Sequence, residues 1–162
     1  EMIENKTAVL IGCSFMFGAI VSDLKTKEIN ILYEVGKNLG IAFQLEDDLL
    51  DCFGDENKFG KKIGGDILEK KKTLLYIYTQ SKLDNDKSVE FENIFFSNDT
   101  KDSIKIDLIK RFYETSGAVK YLKNKVQEYS ERSKKLINQM KIDESKKLGL
   151  IKFSEQLLNR EI

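Results

Sequence analysis

The stretch Glu28–Phe53, EINILYEVGKNLGIAFQLEDDLLDCF, decides the fold. At 3.6 residues per turn, Leu32, Val35, Leu39, Ala42, Leu45 and Leu49 fall on one stripe, while Ile31, Phe43 and Leu50 occupy other faces. A helix that is apolar on several faces is a central one. Segment 28–53 is therefore expected to run through the interior of a helical bundle.

Working outward, segment 2–24 is apolar on every side, with Gly12, Cys13, Ser14, Gly18 and Ala19 supplying small residues that let a neighbour approach. It is expected to be a second buried helix. Its apolar run, Ala8–Val21, falls short of the 20 or so residues of a membrane span. Glu1 and Glu4 give an acidic lead where a signal peptide has a basic one. Downstream, helices are expected over 67–81, 88–96, 103–115 and 143–160, with a break near Ser116-Gly117. Asp66-x-x-Glu69 has the form of a capping box opening the 67–81 helix. Val119, Leu122, Val126, Tyr129, Ser133, Leu136 and Met140 alternate steps of three and four, a seam that suits a coiled coil and, more commonly, one helix of a bundle. No run alternates with period two, so the expected fold class is an all-α helical bundle.

Composition narrows the chemistry. The 162 residues carry 27 Lys+Arg against 27 Asp+Glu, which argues against a nucleic-acid binder relying on general attraction to phosphate. His is 0, which removes histidine bases, the Ser-His-Asp triad and every His-ligated metal site. Acid–base or metal chemistry must come from carboxylates, Lys, Tyr or Cys. Cys13 and Cys52 form no CxxC pair, and the expected compartment is reducing and cytoplasmic. The absence of Pro favours long uninterrupted helices.

The informative chemistry closes the central helix: Phe43-Gln44-Leu45-Glu46-Asp47-Asp48-Leu49-Leu50-Asp51. Asp47 and Asp51 are four apart and share a face, with Gln44 three before Asp47. Four carboxylates in six positions repel one another, at a helix end where the macrodipole is already negative. A hard divalent cation with oxygen ligands offsets that cost, and Mg²⁺ typically takes one or two protein carboxylates and completes its shell with water and phosphate oxygens. A solvated acidic helix end is the plainer reading, weakened here by the apolar faces of the same helix. Gly60-Lys61-Lys62-Ile63-Gly64-Gly65-Asp66 then offers glycines for close approach and two lysines for phosphate, without the Walker pattern. Lys6-Thr7 opens the first helix, its lysine either reaching solvent or lining an inner cavity.

Together, Lys6-Thr7-Ala8, Phe43-Gln44-x-x-Asp47-Asp48-x-x-Asp51, Gly60-Lys61-x-x-Gly64-Gly65-Asp66 and Lys71-Lys72-Thr73 resemble the second half of a trans-isoprenyl diphosphate synthase, the polyprenyl synthetase family. Glu114-Thr115-Ser116-Gly117-Ala118 resembles the same family. The resemblance covers essentially the whole chain. It implies that residues 1–162 are the C-terminal portion of one all-helical prenyltransferase domain. The enzyme would condense an allylic diphosphate with isopentenyl diphosphate under Mg²⁺. Asp47, Asp48 and Asp51 would be the second aspartate-rich motif, with Asp66 reaching the same metal through water. Lys6 and Lys71 would hold the allylic diphosphate, Lys61 or Lys62 would close over it, and Thr7 and Gln44 would present oxygens to the carbocation. The family's first aspartate-rich motif is not in this chain. That omission supports an alternative, a non-catalytic or truncated helical subunit that binds a partner or diphosphate without turnover. A homo-oligomer without nucleic acid or a membrane span is expected in either case.

Overall fold

The structure, a computed structural model, describes residues 2–55 and 63–158. Gly60, Lys61 and Lys62 lie outside the described residues. All regular structure among the described residues is helical. A π-helical turn, Glu4–Ala8, leads into α1 (Val9–Val21); α2 follows (Thr26–Phe53), then α3 (Gly65–Leu68), α4 (Leu74–Gln80), α5 (Asn85–Phe96), α6 (Asp102–Thr115), α7 (Ala118–Gln139) and α8 (Glu144–Leu158). The chain forms two compact units, one built from the chain up to Glu46 together with the stretch from Lys125 onward, the other from Asp47–Asn124.

The first unit is held by close helix packing. A Cβ on Gly40 would stand 2.6 Å from the Ala8 Cα, and one on Gly36 would stand 2.8 Å from the Gly12 Cα, so only glycine lets α1 and α2 approach this closely. Val35, Leu39 and Ile137 form one buried cluster and Ala19, Leu32 and Met140 another, with Phe15, Ile31 and Leu150 packed against both. The Ser133 hydroxyl, fully buried in α7, donates to the Val35 carbonyl at 3.3 Å. The heptad seam is thus the inner stripe of one bundle helix, with Ile137 carrying more of the burial than Leu136.

The expectation that segment 2–24 is buried needs correction. Only Ala8, Gly12 and Ala19 of this stretch are buried, while Leu10, Phe17, Ile20 and Val21 are exposed. One face meets α2, and Phe15 and Ala19 also reach α8 and Met140, while Leu10, Phe17, Ile20 and Val21 stay uncovered among the described residues. With the π-turn included, Glu4–Val21 is 18 residues of mean hydropathy 1.2, long and apolar enough by length and composition alone to cross a membrane. The apolar run from Ala8 had understated it, because the helix begins at Glu4.

In the second unit α6 packs against α3, α4 and α5. An aromatic core fills the space, with Tyr76 and Phe95 ring centres 4.5 Å apart and Phe91 and Phe112 5.3 Å apart. Asp84 caps α5 by accepting the Lys87 amide at 2.9 Å. The predicted 67–81 helix is two short helices instead. Lys70 takes φ 56°, its amide donates to the Ile67 carbonyl and the Lys71 amide to the Asp66 carbonyl, the bond pattern that stops a helix with a left-handed residue. The predicted capping box does not form, because Gly64 occupies the cap position and the Asp66 carboxylate is engaged by Lys71.

Candidate diphosphate and cation site

The second unit assembles its candidate residues at the end of α2. Asp47 is half-buried, Asp48 buried and Asp51 half-buried, on the last two turns of the helix. Asp51 is tied at both ends of the residue. Its backbone carbonyl accepts the Gly64 amide at 2.6 Å, and its Oδ2 accepts the Asp66 amide at 2.9 Å. The turn that makes this possible needs glycine: Gly64 has φ +83°, and a Cβ there would strike Ile106 at 2.6 Å. Asp66, held in place by its amide, offers Oδ1 to the Lys71 ammonium at 2.7 Å, and Lys71 also meets Glu69 at 2.7 Å. The sequence motifs Asp51, Gly64-Gly65-Asp66 and Lys71 are therefore one connected cluster.

Its electrostatics follow from that geometry. Burial pushes the Asp51 carboxyl above its ordinary value and the Asp66 charge adds to the effect, while the donated Asp66 amide works against it. Hydrogen bonds to Asp66 and Glu69 raise the Lys71 ammonium, which stays charged at every physiological pH. Among the described residues no three carboxylates or thiolates converge as a ready-made metal site. The donor set is oxygen-only, with no histidine in the chain, and it suits Mg²⁺, which needs few protein carboxylates when phosphate oxygens complete its shell.

The first unit assembles the others. The π-turn Glu4–Ala8 replaces the usual bond with one from the Val9 amide to the Glu4 carbonyl, a local widening that recurs at functional positions. Lys6 is exposed and Thr7 half-buried. The Thr7 hydroxyl donates to Gln44 Oε1 at 2.9 Å across 37 residues of sequence. Donating its proton leaves the Thr7 oxygen's lone pairs available to an electron-poor group. Sequence reasoning missed two contributors to these clusters. Glu69 shares Lys71, a role its position in the presumed capping box concealed. Ile106 packs over the Gly64 turn and carries no sequence signal, since a half-buried isoleucine on an amphipathic helix looks like any other.

The described residues place the chain in the class of all-α helical proteins. Residues 1–113 match the family described as polyprenyl synthetase, and the chain belongs to that family. It is 35% identical to a geranylgeranyl pyrophosphate synthase of Geoglobus acetivorans over 162 residues, covering 99% of this chain and 48% of that one. A crystal structure of geranylgeranyl pyrophosphate synthase matches with TM-score 0.89 at 40% identity, over 99% of this chain and 50% of that one. A Corynebacterium glutamicum geranylgeranyl pyrophosphate synthase, solved with isoprenyl diphosphate and magnesium, matches with TM-score 0.84 at 26% identity, over 96% of this chain and 44% of that one. The chain spans half or less of the length of these relatives, which are prenyl diphosphate synthases.

Proposed function

We propose that this chain is the C-terminal portion of a prenyltransferase that joins an allylic diphosphate to isopentenyl diphosphate and releases diphosphate. The observation that carries this reading is the likeness of nearly the whole chain to an enzyme solved with isoprenyl diphosphate and magnesium. In the reaction the allylic C–O bond breaks, the electron pair leaves with diphosphate, and the double bond of the second substrate attacks the resulting allylic cation. The adduct then loses a proton to the departed diphosphate.

Asp47, Asp48 and Asp51 would hold Mg²⁺, Asp47 most directly, and Asp66 would reach it through water. Bound there, the metal would supply positive charge to the leaving diphosphate. The chain's own groups do the rest. Lys71, fixed by Asp66, presents a permanent cation to phosphate oxygens, and Lys6 supplies a second. Lys61 and Lys62 are further candidates for closing over the diphosphate. Thr7 and Gln44 turn oxygens toward the cation, where their dipoles stabilise developing positive charge. The free thiols Cys13 and Cys52 fit a reducing compartment. The exposed apolar residues of α1 support an assembled protein in which another surface covers them.

Replacing Asp47 by Ala in the complete enzyme should lower turnover by about two to four orders of magnitude. Near-wild-type turnover would sink the assignment. The other reading is a non-catalytic subunit that binds a partner or diphosphate without turnover. Thermal stabilisation by inorganic diphosphate that appears only with Mg²⁺, up to about 2.7 kcal/mol at a hundredfold excess over Kd, supports a working site, and binding without turnover in the complete protein supports the subunit.

A further inference from the structure

The π-turn that carries Lys6 is braced to α2 from two directions. On one side is the Thr7–Gln44 hydrogen bond at 2.9 Å. On the other, Glu4 Oε1 meets the Lys37 ammonium at 2.7 Å. The second contact is diagonal. The Lys37 stem lies level with Gly12, where its Cγ is 3.2 Å from the place a Gly12 Cβ would take, so the ion pair reaches back over eight residues of the first helix. A five-residue turn fits one more residue into that span than an α-turn does and draws Glu4 toward its partner. Lys37 has little else to hold it, since Glu34 Oε1 is 3.8 Å away and the Tyr33 ring centre 5.9 Å.

We infer that Lys37 is a positioning residue: its ion pair with Glu4 keeps the Glu4–Ala8 turn in the wide register and so sets where the Lys6 ammonium stands. The part of this inference that concerns diphosphate rests on the role proposed above for Lys6. The pairing holds Glu4 below the usual carboxylate range and Lys37 above the usual amine range, so both stay charged at neutral pH. A half-exposed ion pair stabilises little by itself. Here it selects between two registers of the same turn, and a weak contact suffices for that. The C-terminal side of the turn is already fixed by Ala8 and Gly12 against Gly40 and Gly36, so a change of register falls on the residues from Glu4 to Thr7.

The test is the scalar coupling across the hydrogen bond of the Val9 amide, measured by NMR on the isotope-labelled chain. In the wild type the acceptor is Glu4. In Lys37→Met, which keeps the aliphatic stem, the coupling should move to Asn5, the α-helical acceptor. Lys37→Arg and the charge-swapped Glu4→Lys/Lys37→Glu pair should keep it on Glu4. A coupling that stays on Glu4 in Lys37→Met, or a swap that fails to restore it, overturns the inference. Titration with inorganic diphosphate and Mg²⁺ reads the consequence: affinity should fall roughly fivefold in Lys37→Met and recover in the swap, the factor that corresponds to about 1 kcal/mol. Wild-type chain that shows the coupling pattern but binds no diphosphate counts against the proposed function and leaves the brace standing.

Discussion

At the level of single residues, Asp51 joins two demands that conflict. It caps the Gly64–Asp66 turn through its Oδ2, and it does so as a carboxylate partly removed from water beside another carboxylate. A raised carboxyl favours the protonated form in the folded state. Its contribution to stability therefore falls as pH rises from the ordinary value of 3.8 toward the raised one, and the penalty is complete at neutral pH. Asp51→Asn keeps an acceptor for the Asp66 amide and removes the charge. At pH 7 we expect Tm to rise by about 1–3 °C, with the gain vanishing near pH 3. A fall in Tm at pH 7 in a calorimetric scan would contradict the account. The same substitution should weaken Mg²⁺-dependent diphosphate binding, so stability and the proposed chemistry part company at this position.

At the level of helices, the α1–α2 crossing depends on missing side chains. Alanine in a helix interior ordinarily gains about 0.5–1 kcal/mol over glycine. Gly40→Ala should reverse that sign, because its Cβ would sit 2.6 Å from backbone of Ala8, and should cost about 1–3 kcal/mol in chemical denaturation. Gly18→Ala, with nothing within 4 Å of its added Cβ, should instead gain the ordinary amount. Equal effects at the two positions would show that helix propensity, not close approach, governs this crossing. The element pattern was largely legible in sequence: the stripe through Leu32, Leu39 and Leu49, the break at Gly117 and the seam from Leu122 to Met140 all follow from local periodicity. The two short helices around Lys70 were not, because a lysine in the left-handed region announces nothing by its type. The π-turn was equally hidden, since its register depends on a partner 33 residues away. Of the candidate site, the residues were readable as motifs. Their linkage was not, because an aspartate's amide partner and an isoleucine wedged over a glycine are tertiary facts.

At the level of the whole molecule, the exposed stripe of α1 is the largest departure from what the sequence implied. An all-round apolar segment predicts burial only if enough chain is present to surround it. Leu10, Phe17, Ile20 and Val21 are exposed, and an apolar recess of 480 Å³ opens beside α1, lined in part by Phe15, Leu24, Leu32, Ile142 and Leu150. The isolated chain should self-associate and bind a hydrophobic dye. Sedimentation velocity should show mass above the monomer, reduced by the combined changes Leu10→Glu, Phe17→Glu and Val21→Glu. A dye-silent monomer at tens of micromolar would mean that this face is covered from within the chain.

The buried bond from Ser133 to the Val35 carbonyl joins positions 98 residues apart, and that separation has a bearing on birth rather than on the finished fold. A ribosome delivers chain in one direction. Asp47–Asn124 is a single uninterrupted stretch, free to condense as soon as it has left the exit tunnel. The α1–α2 pair that precedes it has no such freedom. Its inner stripe stays unmatched until α7 has been translated, so these two helices meet that partner only after the whole of Asp47–Asn124 has been made.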